Sequence, residues 1–327
     1  MATFRQRGKR WQAQVRRQGH PPETRSFLTR QDAERWARSI EIAMDRGSFV
    51  SKSLAERTTL GELILRYVAE VTPTMKSAKE DTFRLMAISR RKLCCLSVAS
   101  IKPEQIAKYR DQRLAEVSAG TVIRELAYLS AIINHARREW GINVDNPVAL
   151  VKKPASPKGR DRVLTTEERS AIADQLKPNG RISPWMLPIF TIALETGMRR
   201  SEILSLHWCN VDLSVRTALL EDTKNGDRRL VPLSSVALHV LAQLPRHISG
   251  RVFPMTPCAV SAAFEKAAAR AGVFNVRFHD IRHTAITNMA RKLPNLIELS
   301  AVSGHKSLKM LQRYYHPDVE KLALKLG

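Results

Sequence analysis

The chain has 327 residues, 54 of them Lys or Arg against 31 Asp or Glu, for a formal net charge of +23 and a pI near 10.5. That length accommodates two or three domains with cores of their own. The charge selects a polyanionic partner, or else a basic surface kept for solubility or for ribosome association. Cys94, Cys95, Cys209 and Cys258 contain no C-x-x-C pair, which argues against a zinc site or a disulfide framework. No signal-peptide pattern is found, and the most apolar stretch, Trp185 to Leu194, is about half a membrane span. A soluble protein of a reducing, cytoplasmic compartment is expected, with no membrane partner.

Residues 1–28 read as a small three-stranded sheet. Trp11, Ala13 and Val15 alternate with Arg10, Gln12, Gln14 and Arg16, Gly8 and Gly19 mark turns, and Thr24 to Leu28 supplies the third strand. A helix follows, with Thr29 as N-cap, Ala33, Trp36, Ala37, Ile40 and Met44 as its stripe and Gly47 at its end. The exposed Arg/Gln face suits a β-ribbon laid in a DNA groove, and equally an ordinary solvated cap.

After a hinge near 48–57 the pattern is wholly helical. Thr59 and Glu62 form a capping box, and Leu60, Leu63, Ile64, Tyr67, Val68 and Val71 keep helical spacing up to Pro73. Further helices are expected over Glu80–Leu93, Pro103–Val117 and Thr121–Trp140, which makes a four-helix bundle. Val151 to Arg162 is rich in Pro, Gly and Lys and reads as an extended basic linker. Lys152 and Lys153 in it are candidate backbone contacts, or simply solvated.

A second helical domain starts at the Thr165/Glu168 capping box, and Ser183-Pro184 opens an apolar helix running to Glu195. Gly197 breaks it, which places Arg199 at the turn into the next helix with Glu202 three residues on, able to hold its guanidinium. Thr217–Leu220 and Arg229–Leu233 flank Lys224-Asn225-Gly226, a hairpin signal with Lys224 at the tip. Alone, Lys224 reads as a solvated turn residue. In the run Phe278 to Thr284, Phe278, Ile281, Ala285 and Met289 share an apolar helix face, and His279 and Arg282 stack on the neighbouring face. An imidazole beside a guanidinium suits a phosphate substrate; a buried, hydrogen-bonded His with a surface Arg is the plain alternative. Fold class is therefore mainly α with small β elements.

Arg199, then His279-x-x-Arg282, then Gly304-His305, then Tyr314, in that order, resemble the catalytic core of the tyrosine recombinases, the phage-integrase family. The resemblance implies an arm-type DNA-binding-like domain at 1–57, a helical core-binding domain at 58–150, the linker at 151–162 and a catalytic domain at 163–327. It further implies a site-specific recombinase acting as a homotetramer on double-stranded DNA, with room for accessory DNA-bending proteins. Ser303 stands where the family usually has leucine. The run from Ser303 to Tyr314 also looks like the shufflon-type inversion recombinases, so integration and inversion both stay open. A type IB topoisomerase and a non-catalytic DNA-binding scaffold are the rivals.

Under this resemblance Arg199 and Arg282 grip the phosphate bidentately, with His305 as a further donor. Tyr314 is the nucleophile, His279 the acceptor of its proton and Lys224 the acid for the leaving 5′ oxygen. No metal or other cofactor is expected. Tyr314 is preferred to Tyr315 because Leu308, Leu311 and Tyr315 share one helical face while Tyr314 leaves it. It also lies nine residues after His305, the spacing the family shows.

Overall fold

A computed structural model describes every residue except 1, 21, 47–52, 158, 181, 222–227, 294, 306, 315–322 and 325–327. The chain divides into two compact units, Met1–Lys158 and Gly159–Gly327. The fold is mainly helical with two small antiparallel sheets, as expected.

The first unit opens with β1 (Ala2–Arg7), β2 (Arg10–Val15) and β3 (Glu23–Phe27), paired antiparallel in the order β1-β2-β3. Helix α1 (Arg30–Asp45) covers one face, burying Ala13 and Val15 beneath Ala33, Ala37 and Met44. Thr29 caps α1 by accepting from the Asp32 amide, as read from sequence, while the Gly47 stop lies outside the described residues. Register pairs Gln12 with Arg5 and Ser26, and Gln14 with Thr3 and Thr24, so the face away from α1 is polar and partly cationic.

The bundle comprises α2 (Ser53–Arg57), α3 (Leu60–Glu70), α4 (Ala78–Ser89), α5 (Pro103–Glu116) and α6 (Ala119–Glu139) around a core that includes Leu63, Ile64, Leu85, Ile106, Leu126 and Ile133. The Thr59/Glu62 capping box is formed, with the Thr59 amide donating to Glu62 Oε2 at 2.7 Å. Helix α4 ends earlier than expected, at Ser89, and a 3-10 turn over Lys92–Cys95 replaces its last residues.

The second unit contains α7 (Thr166–Gln175), α8 (Met186–Thr196), α9 (Arg200–Leu204), the sheet of β4 (Val211–Asp212), β5 (Thr217–Leu220) and β6 (Arg229–Pro232), then α10 (Ser235–Gln243), α11 (Pro257–Arg270), α12 (Phe278–Lys292), α13 (Leu296–Ser303) and α14 (Leu308–Leu311). In its core Phe190 stacks on Phe264, which meets Phe278 edge to face. Helix α8 begins at Met186 rather than at Pro184 because Ser183 makes a local turn, its Oγ accepting from the Trp185 amide and its carbonyl from Met186. The stretch Gly159–Arg162 lies against this unit: Arg160 Nε donates to both Asp280 oxygens at 2.9 Å, and Asp161 pairs with Arg313.

One buried polar cluster in the bundle invites a stability test. Glu125 accepts from Tyr109 Oη at 2.7 Å and from Arg113 Nε and Nη2 at 2.8 and 2.6 Å. Burial works against its charge, but the bonds from Arg113 and Tyr109 prevail and hold the carboxyl below its usual range. Glu125→Ala removes the buried partner of Arg113 and of Tyr109 Oη, leaving Arg113 only the half-exposed Glu116, and should destabilise the bundle by about 3 kcal/mol, whereas Arg113→Met with Glu125→Leu and Tyr109→Phe should be close to neutral. Denaturant unfolding followed by circular dichroism measures both; equal losses in the two proteins would contradict this account.

Candidate active site

The site is built around a carboxylate. Helix α8 buries Met186, Ile189, Phe190, Ile192 and Ala193 and stops at Gly197, whose φ of 61° is left-handed. The chain then re-enters a helix with Arg199 at the N-cap of α9. The Arg199 amide donates to Glu202 Oε2 at 2.8 Å and its Nη1 to Oε1 at 2.6 Å. Glu202 is 3 % exposed and also receives Arg229 Nη2 at 2.8 Å, with Arg282 Nη1 at 3.9 Å. Burial alone would raise its pKa; the Arg199 amide and the neighbouring guanidiniums overcome this and keep it ionised. The sequence reading anticipated the Arg199–Glu202 pair, but not Arg229.

Helix α12 packs Phe278, Ile281 and Ala285 into the protein, which turns Arg282 inward. Arg282 is buried, donating Nη1 to the Gly197 carbonyl and Nη2 to that of Ser303, both at 2.6 Å. The two carbonyls come from the ends of α8 and α13, so a single fork joins three helices. Burial, and then repulsion from Arg199, bring its pKa down to about 10, and it remains a cation at neutral pH. At the helix start the Arg277 amide donates to Asp280 Oδ2 at 2.8 Å, and the same carboxylate holds Arg160.

Helix α13 ends at Gly304, with φ of 69°. A Cβ there would stand 2.8 Å from Arg229 Nε, so glycine is required by both conformation and space. His305 follows, buried, with Nδ1 2.8 Å from Ser303 Oγ. Burial first, then Arg282 and Arg199, push its pKa down to about 4 and make it a neutral imidazole at pH 7. Ser303, the departure from the usual leucine, thus supports the ring; a hydroxyl donated to Nδ1 leaves Nε2–H as the outward donor.

Tyr314 differs from expectation in its setting. It is 8 % exposed and packs with Ile286, Ala290, Leu299 and Leu311 instead of leaving their apolar face. The cause is a tightening of the chain: after α14 the residues Gln312–Tyr314 form a 3-10 turn. Three residues per turn eclipse positions 311 and 314, which an α-helix would separate. Its Oη meets His283 Nδ1 at 2.7 Å, and burial raises its pKa. His279, the acceptor named from sequence, makes no hydrogen bond to Tyr314 among the described residues; its ring lies edge-on to that of His283, 5.3 Å away.

Arg199, His279, Arg282, His305 and Tyr314 line one cavity of about 460 Å³, together with His283 and Arg313. Five of the six residues singled out from sequence therefore converge from segments more than a hundred residues apart. Lys224 and Tyr315 lie outside the described residues. The DNA-binding candidates are all in the other unit: Arg10, Gln12 and Gln14 on β2, Arg16 just beyond it, and Lys152 and Lys153 exposed after the bundle. His283, Arg229, Arg313 and Arg160 were missed; of these only His283 had a sequence signal, its position one turn after His279 on the same helix.

The chain is similar to known proteins over most of its length. The phage integrase family pattern matches residues 162–321, and that of the phage integrase N-terminal domain matches residues 56–153. A Haemophilus influenzae protein described as an integrase/recombinase is 35% identical, over 98% of this chain and 88% of its own. A shufflon-specific DNA recombinase of Escherichia coli is 37% identical, over 83% of this chain and 72% of its own. Among solved structures, a lambda integrase tetramer bound to a Holliday junction superposes with a TM-score of 0.68, at 19% identity, over 94% of this chain and 93% of that one. Likeness across nearly the whole length, with the arginines, the histidines and the tyrosine gathered at one cavity, places the chain in the phage integrase family of tyrosine recombinases, enzymes that break and rejoin DNA strands.

Proposed function

We propose that this cavity cuts and rejoins DNA through a 3′-phosphotyrosine at Tyr314. The observation that carries the reading is the buried Tyr314 phenol lining the same cavity as Arg199 and Arg282, both paired with Glu202. Arg199 and Arg282 bind the non-bridging phosphate oxygens, and neutral His305 donates a further hydrogen bond. Loss of one such donor costs about 3 kcal/mol of barrier, by analogy with other oxyanion donors. His279 at the cavity rim completes the phosphate contacts, and Lys224 protonates the leaving 5′ oxygen. Energy stored in the phosphotyrosine allows rejoining without ATP.

In this reading residues 1–57 contact arm-type DNA through Arg10, Gln12, Gln14 and Arg16, 58–150 bind the core site, 151–162 follow the backbone with Lys152 and Lys153, and 163–327 carry the chemistry. The enzyme works as a homotetramer on paired sites at the nucleoid, in the cytoplasm, and belongs to a phage or other mobile element. The tetramer is supported by the lambda integrase likeness. Integration is the primary reading; the 37% identity to a shufflon-specific recombinase favours inversion as the second. Deletion versus inversion products from direct and inverted site pairs discriminate between them.

Tyr314→Phe should abolish the denaturant-resistant protein–DNA adduct on a nicked substrate while leaving DNA affinity within about twofold, since a hydroxyl contributes little to backbone electrostatics. Cleavage by the unsubstituted chain should continue in excess EDTA, because Arg199, Arg282 and Lys224 supply the positive charge. An adduct in the Phe variant would refute the assignment.

Lys224→Ala should slow cleavage of ordinary DNA by about 100-fold or more, yet barely affect a 5′-bridging phosphorothiolate, whose sulfur leaves unprotonated. Equal slowing of both substrates would make the lysine a phosphate clamp.

Binding should weaken with salt at a log–log slope near −0.9 for each phosphate contacted. A slope flatter than about −3 on specific duplex would contradict a clamp built from both units.

A further inference from the structure

We propose that His283 is the catalytic residue that takes the proton from Tyr314 as the phenol attacks phosphorus, with Nδ1 as the receiving atom. This rests on Tyr314 being the nucleophile. His283 Nδ1 is the hydrogen-bond partner of the Tyr314 oxygen among the described residues, at 2.7 Å, with the two rings tilted by 31°. His279 sits one turn earlier on α12, its ring edge-on to that of His283, and makes no hydrogen bond to the tyrosine among the described residues. The helix that aims Arg282 into the cavity therefore also sets a base against the nucleophile, because residues 279 and 283 stack on successive turns.

Protonation states fit the role. Burial, then the neighbouring His279 and Arg313, keep His283 below the usual imidazole range, so it is neutral at pH 7. Burial raises the phenol, so the proton stays on oxygen until phosphorus is attacked. Acceptance at Nδ1 requires the Nε2–H tautomer. In the step, a lone pair of Oη forms the bond to phosphorus and the bond from phosphorus to the 5′ oxygen breaks. The phenolic proton passes to Nδ1, and the 5′ oxygen takes a proton from the acid, Lys224 in the reading above. Rejoining returns the Nδ1 proton to the phenol.

His283→Asn places an amide oxygen near the position of Nδ1 and keeps the hydrogen bond, but takes no proton. Adduct formation is measured for the full chain on a nicked duplex carrying a 5′-bridging phosphorothiolate, which removes the acid from the comparison. At about pH 7 the variant should be slower by about 100-fold or more. Its rate should then climb about tenfold per pH unit up to about pH 9, as hydroxide replaces the missing base, while the unsubstituted rate stays level. DNA affinity should be unchanged. A variant within about threefold of the parent, or one slowed equally at every pH, overturns the proposal. Tyr314→Phe separates the two readings: an adduct in that variant overturns Tyr314 itself, whereas loss there with retention in His283→Asn overturns only His283. If His283→Asn does not fold, ¹⁵N NMR of the histidine-labelled parent decides, since a proton on Nδ1 of His283 overturns the proposal and a bare Nδ1 supports it.

Discussion

Glu202 is the point on which the cavity depends. A carboxylate so deeply buried is tolerable only with cations around it, and Arg199, Arg229 and Arg282 are those cations. The dependence runs both ways: three guanidiniums gathered so closely repel each other, and the single negative charge they share lets them coexist. Two of them, Arg199 and Arg282, line the cavity. Arg229 additionally ties the sheet to the end of α13 through the Val302 carbonyl and closes over Gly304. The electrostatic site and the packing of α9, α12, α13 and β6 are therefore one construction, and removing the carboxylate would disturb all four elements together.

Much of this was legible from local sequence. Thr29, Thr59 and Thr165 announce helix starts because an N-cap is a contact between residues three apart, and all three make the expected bonds. The Arg199–Glu202 pair was readable for the same reason. Arg229 was not, since its partners lie 27 and 73 residues away and no local spacing records such a contact. Of the two grounds for Tyr314, helical periodicity fails locally, because the chain narrows to a 3-10 turn that puts residue 314 beneath Leu311, while the nine-residue spacing from His305 does not depend on that turn. The residue itself still reaches the cavity.

Ser303 shows how an apparent departure from a family pattern acquires a purpose. A leucine at this place would add apolar volume beside His305; the serine instead contributes a hydroxyl at hydrogen-bond distance from Nδ1. In a site where burial and two arginines strip the imidazole of its charge, that hydroxyl gives Nδ1 a polar partner within the protein. The neighbouring Ser300, donating to the His305 carbonyl at 2.7 Å, secures the backbone of the same residue.

The short stretch Gly159–Arg162 bears on how fragments and chimaeras of this enzyme should be cut. Arg160 neutralises Asp280, the residue that caps α12, and Asp161 holds the arginine next to Tyr314. A junction placed at 162/163, where composition suggests the basic linker ends, would discard both contacts and leave a nearly inaccessible carboxylate unpaired at the head of the helix that bears Arg282. A junction at 158/159 keeps them. Gly159 itself abuts Arg313, with a Cβ there falling 2.6 Å from Nη2, so the splice is best joined without replacing that glycine.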